Sequence, residues 1–329
     1  MSSEQQSSEQ NPTGRREKTT GLATGPAKPG VPKVDPILVV DGVERHFGGL
    51  TAVDVDHLEI PRGAITALIG PNGAGKTTLF NLLCGFDRPN SGTWQYDGKN
   101  LAGIPSFKVA RMGQVRTFQL TKALSLLTVL ENMKLGSPHQ PGEKFWVSMF
   151  PGLWRKQEGE IEKKARELLT LFKLDAKEKD FAAALSGGQR KLLEMARALM
   201  SDPQLVMLDE PMAGVNPALT QSLLDHILGL KDRGMTVLFV EHDMHMVRHI
   251  ADWVVVMAEG RVVAEGPPDH VMEDPAVVDA YLGAHQDVDL GEVTGRIPVV
   301  SGTAAAADAA RVREKIEAEA EAELEEEQK

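Results

Sequence analysis

A glycine-rich loop carries the clearest chemistry in this sequence. Residues 70–78 read Gly-Pro-Asn-Gly-Ala-Gly-Lys-Thr-Thr and fit the pattern GxxxxGK[ST]. The apolar run 64–69 precedes the loop and the helical pattern 79–84 follows it, which is the strand–loop–helix context that the pattern needs. Glycines let backbone N–H groups turn toward phosphate oxygens, and a helix N-terminus adds a positive dipole end. The loop therefore predicts a nucleoside triphosphate site, with these candidate contacts: Gly70, Pro71, Asn72, Gly73, Ala74, Gly75, Lys76, Thr77 and Thr78.

Two side chains of this loop have distinct predicted tasks. Lys76 can reach the β- and γ-phosphates, and the hydroxyl of Thr77 can bind Mg²⁺. A nucleoside triphosphate with Mg²⁺ is accordingly the expected ligand.

An acidic pair follows a second apolar run. Asp209 and Glu210 come directly after residues 205–208. Ligands of open α/β sheets bind outside the carboxyl ends of the strands, so Asp209 is expected in the Mg²⁺ shell and Glu210 beside the attacking water. The alternative is that the pair only caps a strand, which is less favoured beside a phosphate loop.

A second possible anion site precedes the helical run 190–199. Ser186, Gly187, Gly188 and Gln189 follow Leu185 at its start, and a serine with two glycines at a helix N-terminus offers N–H groups to an anion. Because one nucleotide needs only one phosphate loop, this site suggests contact with a nucleotide held by another subunit. The alternative is an ordinary serine cap with a glycine turn.

Two further polar residues complete the series. His242 follows the apolar run 236–240, where an imidazole can contact a γ-phosphate. Gln119 opens a mostly helical stretch and is a candidate sensor of Mg²⁺ and the attacking water. His245 and His249 follow at helical spacing, but surface histidines are the simpler interpretation because zinc needs three or four ligands.

The sequence predicts strands that would position most of these motif residues. Residues 43–60 alternate well enough for two strands that turn at Gly48-Gly49, and 92–97 is predicted as a short edge strand. Residues 205–208 and 236–240 are continuous apolar runs, typical of parallel strands covered on both faces.

Helices and a hairpin account for the remaining pattern. Residues of about 105–200 read as mostly helical, with apolar residues at helical spacing in 160–174. The runs 253–257 and 261–264 predict a hairpin that turns at Glu259-Gly260.

Composition excludes several classes of protein. The net charge is −11, of which residues 287–329 carry −7 (12 acidic, 5 basic), and the mildly acidic remainder argues against nucleic acid as a partner. No apolar run approaches the ~20 residues that span a bilayer, and the N-terminus lacks the apolar region of a secretory signal. The single cysteine, Cys84, permits no intrachain disulfide and is predicted to be a core residue.

The motifs at 70–78, 119, 185–189, 205–210 and 242, in this order, resemble the ATP-binding cassette (ABC) family. The resemblance covers residues 37 to about 284. It implies an α/β fold, a P-loop NTPase ABC cassette with a RecA-like core, an antiparallel β subdomain and a helical subdomain. The predicted domains are a disordered tail (1–35), an ABC ATPase domain (36–286, helical subdomain about 105–200) and an acidic Ala/Glu-rich tail (287–329).

The resemblance also implies how the cassette works. Two cassettes would meet head to tail, with each ATP between Lys76 of one chain and Ser186 of the other. Phe47, 29 residues before Lys76, would stack on adenine, and residues 214–217 would form a dimer contact. Many cassettes carry Asp where this sequence has Asn216, so the resemblance does not imply Asp-dependent communication between the two sites, although it still implies hydrolysis.

Several strings resemble the ATPase subunit of branched-chain amino acid importers. These are residues 46–50, 110–113 together with 116–119, 212–217, 241–244 and 280–283. The likeness implies integral-membrane permease subunits, a second ABC ATPase subunit that is identical or different, and indirectly an extracytoplasmic solute-binding protein, with the chain at the cytoplasmic face of the membrane. Aromatic residues within 140–157 are expected either to meet the membrane subunit or to close the helical subdomain.

Other functions remain as alternatives. A urea or short-amide importer and a lipid-exporting cassette share close sequence features. A non-transport cassette is disfavoured, because the chain has one phosphate loop and no heptad run. A catalytically dead regulatory cassette is disfavoured by Lys76, Asp209, Glu210 and His242.

Overall fold

The computed structural model describes Leu22 and residues 28–117, 124–138 and 155–283. Most of the aromatic stretch 140–157 lies outside the described residues. Within the described part, no helix is both long enough and apolar enough to cross a membrane.

A four-stranded antiparallel sheet opens the fold. Its strand order is β2-β1-β4-β5, and the strands are β1 (Pro36–Phe47), β2 (Leu50–Pro61), β4 (Ser91–Tyr96) and β5 (Lys99–Asn100). The predicted turn at Gly48-Gly49 is confirmed, since β1 and β2 pair from Phe47↔Leu50 outward. The prediction that 92–97 is an edge strand is wrong, because the two residues of β5 pair along the outer side of β4. So short a strand has too few residues to leave a pattern in the sequence.

A six-stranded sheet forms the centre, in the order β10-β9-β3-β8-β7-β6. Its strands are β3 (Ile65–Ile69), β6 (Gln114–Arg116), β7 (Leu205–Asp209), β8 (Thr236–Val240), β9 (Trp253–Ala258) and β10 (Arg261–Gly266). All neighbours are parallel except β9 and β10, which form the predicted hairpin. The stretch 105–200 is less uniformly helical than predicted, because β6 lies within it and pairs with β7.

Nine α-helices are described, and most of them cover the central sheet. They are α1 (Lys76–Leu83), α2 (Ser106–Arg111), α3 (Val129–Lys134), α4 (Arg155–Leu171), α5 (Gly187–Ala198), α6 (Pro217–Asp232), α7 (Met244–Ile250), α8 (Pro268–Val271) and α9 (Pro275–Gly283). Short 3-10 helices lie at Asp175–Lys177, Ala182–Ala184 and Leu199–Ser201.

The central strands divide their side chains between two cores. Ile65, Ala67 and Ile69 of β3 join the cluster that contains α4, α5 and α6. Leu68 of β3 faces the other cluster, with α1 and the antiparallel sheet. Successive side chains of a strand point to opposite faces, so a strand covered on both sides must be apolar throughout. This explains why the buried strands read as unbroken apolar runs.

Residues 28–35, which the sequence assigns to a tail, run against the hairpin. The Val31 amide donates to Glu265 Oε1 at 2.8 Å, and Lys33 Nζ donates to Glu265 Oε2 at 2.9 Å. The Trp253 indole donates to the same carboxylate at 2.9 Å. Glu265 is 1 % exposed, and this ring of donors compensates its buried charge.

Candidate nucleotide site

The candidate site lies at the carboxyl ends of four neighbouring parallel strands. The glycine-rich loop follows β3, Asp209 ends β7, and His242 comes two residues after β8. Strand β6 leads through Thr117 toward Gln119, which lies outside the described residues. Parallel strands end at one edge of a sheet, so the topology brings these motifs together.

Two glycines of the loop are required by their surroundings. Gly70 has φ +149°, and a Cβ there would lie 2.1 Å from the carbonyl oxygen of Met257. Gly75 has φ +94°, and its Cβ would lie 2.3 Å from the carbonyl oxygen of Ala52. Both contacts are with backbone, which has no room to shift. A Cβ at Gly73 would instead meet nothing within 4 Å, so this part of the loop borders open space.

The N-terminus of α1 is suited to bind an anion. Gly75 caps the helix without a side-chain hydrogen bond, and no acidic residue lies in the first turn. The first backbone N–H groups of a helix have no partner within it, and the helix dipole favours negative charge there. Triphosphate oxygens match both features.

Lys76 is held inside the loop. Its Nζ donates to the carbonyl oxygens of Gly70 at 2.7 Å and Pro71 at 2.8 Å, and the residue is 6 % exposed. Burial lowers the pKa of Lys76, while the charges of Glu210 and Asp209 act to raise it. The amine therefore points into the loop, where it could donate to a phosphate oxygen.

Asp209 is buried and ion-paired. Its Oδ2 accepts from Arg116 Nη2 at 2.6 Å, and both side chains are less than a tenth exposed. Arg116 Nη1 also donates to Asn81 Oδ1 at 2.6 Å, which ties α1 to β6 and β7. Sequence reasoning missed Arg116 and Asn81, because a lone Arg and a lone Asn carry no positional signal.

The donor chemistry fits Mg²⁺. Thr77 is exposed at the start of α1, and a hydroxyl and a carboxylate supply the oxygen ligands that Mg²⁺ prefers. One carboxylate has about four lone-pair positions, so the hydrogen bond from Arg116 leaves capacity for a metal on Asp209. The described residues contain no group of three or more His, Cys, Asp or Glu able to hold a metal by themselves. Mg²⁺ commonly takes one or two protein ligands and completes its shell with phosphates and waters.

Glu210 and His242 are in direct contact. Glu210 Oε1 lies 2.9 Å from His242 Nε2, and both side chains are partly exposed. Glu210 has φ +46°, an uncommon conformation for a non-glycine residue. The prediction that these two residues share one site agrees with this geometry, while their catalytic roles stay predictions.

Phe47 ends β1 with about half of its surface (49 %) exposed. The Arg45 guanidinium lies 4.5 Å from the ring centroid and is itself fixed by an ion pair with Asp87 at 2.9 Å. A supported, half-open aromatic ring suits stacking on a planar base.

The serine–glycine motif begins α5. Ser186 Oγ accepts from the Gln189 amide at 3.2 Å, and Gln189 Oε1 accepts from the Ser186 amide at 3.0 Å, which forms a complete capping box. A Cβ at Gly187 would meet nothing within 4 Å, whereas one at Gly188 would lie 2.5 Å from Leu219 Cδ1. Gly188 thus also serves packing of α5 against α6. Among the described residues, no hydrogen bond or ion pair joins this motif to the glycine-rich loop of the same chain.

The remaining candidates have structural explanations. Cys84 is buried, and burial raises its pKa to about 12, which agrees with a core residue. The amide of His245 donates to Asp243 Oδ1 at 2.9 Å at the start of α7, and neither His245 nor His249 belongs to a metal cluster among the described residues.

Known protein families, relatives and solved structures match the part of the chain that contains these motifs. Residues 53–213 match the family model described as ABC transporter, and residues 261–287 match that of the branched-chain amino acid ATP-binding cassette transporter. The probable branched-chain amino acid transport ATP-binding protein LivG of Archaeoglobus fulgidus is 42 % identical over 254 residues, covering 77 % of this chain and 98 % of that protein. BraF of Pseudomonas aeruginosa, a high-affinity branched-chain amino acid transport ATP-binding protein, is 39 % identical over 75 % of this chain and 98 % of its own length. Among solved structures, the ADP conformation of a cassette of an ABC transporter matches with a TM-score of 0.65 at 36 % identity, covering 75 % of this chain and 99 % of that one.

Proposed function

The chain belongs to the family of ATP-binding cassette transporter ATPases, and we propose that it powers the import of branched-chain amino acids through separate membrane subunits. One observation carries the choice of solute. Residues 261–287 match a family model specific to branched-chain amino acid cassettes, whereas the motifs at 70–78 and 205–210 are common to cassettes for many solutes. The relatives LivG and BraF are named for the same solutes.

ATP would be held mainly by its phosphates. The uncapped N-terminus of α1 offers N–H groups, Lys76 supplies a positive charge, and Phe47 offers a face for adenine. Mg²⁺, held by Thr77 and Asp209, would neutralise charge on the phosphates. Gln119 would complete this shell as a sensor of the ion and the attacking water.

Hydrolysis would depend on the contact between Glu210 and His242. Glu210 would accept a proton from water as the water oxygen bonds to the γ-phosphorus and the bond to the β–γ bridging oxygen breaks. His242, 2.9 Å from Glu210, would orient this carboxylate and contact the γ-phosphate.

A second cassette would add a further contact to the bound ATP. Residues 186–189 begin a helix with an open N-terminal face, yet among the described residues they make no polar contact with the loop of their own chain. In a head-to-tail pair, Ser186 of the partner subunit would instead contact the ATP held by Lys76. The second cassette is either a copy of this chain or a related ATPase.

The membrane partners are inferred from the family. A cassette without a described membrane-spanning helix would convert its closure on ATP into movement of permease subunits. It would therefore lie at the cytoplasmic face of the membrane, with an extracytoplasmic solute-binding protein delivering the amino acid. The acidic tail at 287–329 is proposed to lie outside this ATPase domain, whereas residues 28–35 of the predicted N-terminal tail (1–35) contact the domain through Glu265.

Uptake of labelled leucine in the native cell tests the proposal. Cells carrying Lys76→Ala should lose uptake while the membrane subunits remain assembled, and Lys163→Ala, at an exposed position of α4, should behave as wild type. Unchanged leucine uptake in the Lys76→Ala cells would remove branched-chain amino acids as the solute. Labelled urea, short amides and lipid would then be compared in the same strains.

A further inference from the structure

The turn that carries Glu210 is unusual and must be held in place. Glu210 adopts φ +46°, and its amide donates to the carbonyl oxygen of Val240 at 3.1 Å. The amide of Ala213 then donates back to the Glu210 carbonyl at 3.1 Å, which closes the turn. A non-glycine residue keeps such a conformation only where surrounding contacts determine it.

Lys191 supplies those contacts from one side. Its Nζ lies 3.3 Å from the carbonyl oxygen of Glu210, 3.0 Å from that of Pro211 and 2.5 Å from that of Ala213. An ammonium group has three N–H donors, so these three carbonyls match its full capacity. The side chain thus binds the backbone of the turn rather than a carboxylate.

Glu241 holds the same turn from the other side. Its Oε1 accepts from the Met212 amide at 2.8 Å and its Oε2 from the His242 amide at 3.2 Å, and the residue is 5 % exposed. The carboxylates that face Lys191 are those of Glu241, Glu194 and Glu210. They act to raise the pKa of Lys191, against the larger effect of burial, which lowers it.

Lys191 lies on the helix that begins with the serine–glycine motif. Ser186 caps α5 and Lys191 follows five residues later, about 7.5 Å along the helix axis. Gly188 also packs closely against α6, because a Cβ there would lie 2.5 Å from Leu219 Cδ1. A displacement of the N-terminus of α5 would therefore carry the amine of Lys191 with it.

We propose that Lys191 is a positioning residue that links the N-terminus of α5 to the backbone of Glu210. The inference rests on the proposed function, because it takes Ser186 as a contact to ATP held by a second cassette. Binding of that second ATP seats α5, and Lys191 then aligns the turn from which Glu210 acts on the first. In each cassette, α5 thereby couples the nucleotide bound by the partner to the position of Glu210.

The test compares three variants of the full-length protein. Lys191→Met removes the donors and keeps the length, Lys191→Arg keeps donors, and Lys163→Met makes the same change at an exposed lysine of α4. Steady-state ATPase rates are measured over a range of ATP concentrations, with binding of a fluorescent ATP analogue and thermal unfolding measured in parallel.

The expected result separates positioning from folding. Lys191→Met should lower kcat by about 10- to 100-fold, the effect of losing hydrogen bonds from a charged group, with KM and analogue binding changed by less than about threefold. Its Hill coefficient for ATP should fall toward that of independent sites. Lys191→Arg should restore most of kcat and of the cooperativity, and Lys163→Met should match wild type.

Two outcomes would overturn the link. One is a Lys191→Met protein with wild-type kcat and Hill coefficient. The other is a parallel loss of thermal stability, binding and kcat that Lys191→Arg does not repair, which indicates a purely structural lysine. If the wild-type protein hydrolyses no ATP either alone or together with its partner cassette, the proposed function fails, and that result is distinct from both.

Discussion

Two helix N-termini of this molecule carry glycine-rich motifs, and they differ in how their N–H groups are used. Helix α1 begins at Gly75 with no side-chain cap, and Lys76 follows at once. Helix α5 begins with a capping box in which Ser186 and Gln189 satisfy each other's amides. The N-terminus of α1 has backbone N–H groups without side-chain partners and the cation of Lys76 beside them. At the N-terminus of α5, the capping box already pairs some of the N–H groups.

The difference separates a complete phosphate site from a partial one. The loop before α1 holds Lys76 inside it, and the charges of the buried Asp209 and the partly exposed Glu210 act on this lysine. The end of α5 offers an open face at Gly187. A triphosphate is expected to bind the first site in a single chain and to engage the second only when another chain brings it.

Removing the cation of the complete site should have the largest effect. Lys76→Ala should lower ATPase activity by about 10³-fold, because preorganised charge at a transferring phosphoryl group is worth roughly that much. The ATPase rate of the purified variant is compared with those of wild type and Lys163→Ala. Activity within a few-fold of wild type would contradict the role of Lys76 and the contrast drawn between the two helix ends.

Removing the proton acceptor should separate binding from chemistry. Glu210→Gln keeps the size of the side chain and an acceptor for His242, and it should lower kcat by about 10²-fold or more, as expected for a general base. ATP binding should persist, so the variant should accumulate as a closed pair. Sedimentation with ATP and Mg²⁺ measures the pair, and wild-type turnover by the variant would show that another group activates the water.

Most of the fold and the ligand-facing half of the site are predictable from sequence, for physical reasons. The loop 70–78 requires its residue types in consecutive order, and the buried strands on both sides require unbroken apolar runs. The apolar pattern of the sequence does not predict β5 or β6, since strands of two and three residues are too short to show an alternation of apolar and polar residues. The contacts of Arg116 are unpredictable for another reason. Its partners Asp209 and Asn81 lie 93 and 35 residues away in sequence, and only the fold brings them together.

Placing a negative charge at the partial site should affect only the paired state. Gly187 has open space for a side chain, and an acid in the first helical turn favours the helix, so Gly187→Asp should fold as well as wild type. It should repel the phosphates of a partner's ATP and lower ATPase activity by about 10- to 100-fold, while nucleotide affinity of the single chain stays unchanged.

Gly159→Asp is the matched control for this change. Gly159 also lies in a helix, α4, with nothing within 4 Å of its Cβ position, and its variant should hydrolyse ATP at the wild-type rate. Weaker nucleotide binding by monomeric Gly187→Asp would mean that α5 contacts ATP within its own chain. The distinction between complete and partial sites would then be wrong.

The smallest effect is expected at the base-binding end of the complete site. Phe47→Ala should raise the Kd for ATP by about 10-fold, since base–aromatic stacking is worth about 1–3 kcal/mol per base. Inorganic tripolyphosphate, which has no base, should bind wild type and Phe47→Ala equally, because the variant leaves the loop and Lys76 unchanged.

Phe107 is a suitable control position, since its ring is also exposed and its centroid lies 5.8 Å from the guanidinium of Arg111. Phe107→Ala should leave both affinities at the wild-type value. Equal loss of affinity for ATP and tripolyphosphate in Phe47→Ala would show that the ring supports the loop rather than the base, and the complete site would then end at the phosphates.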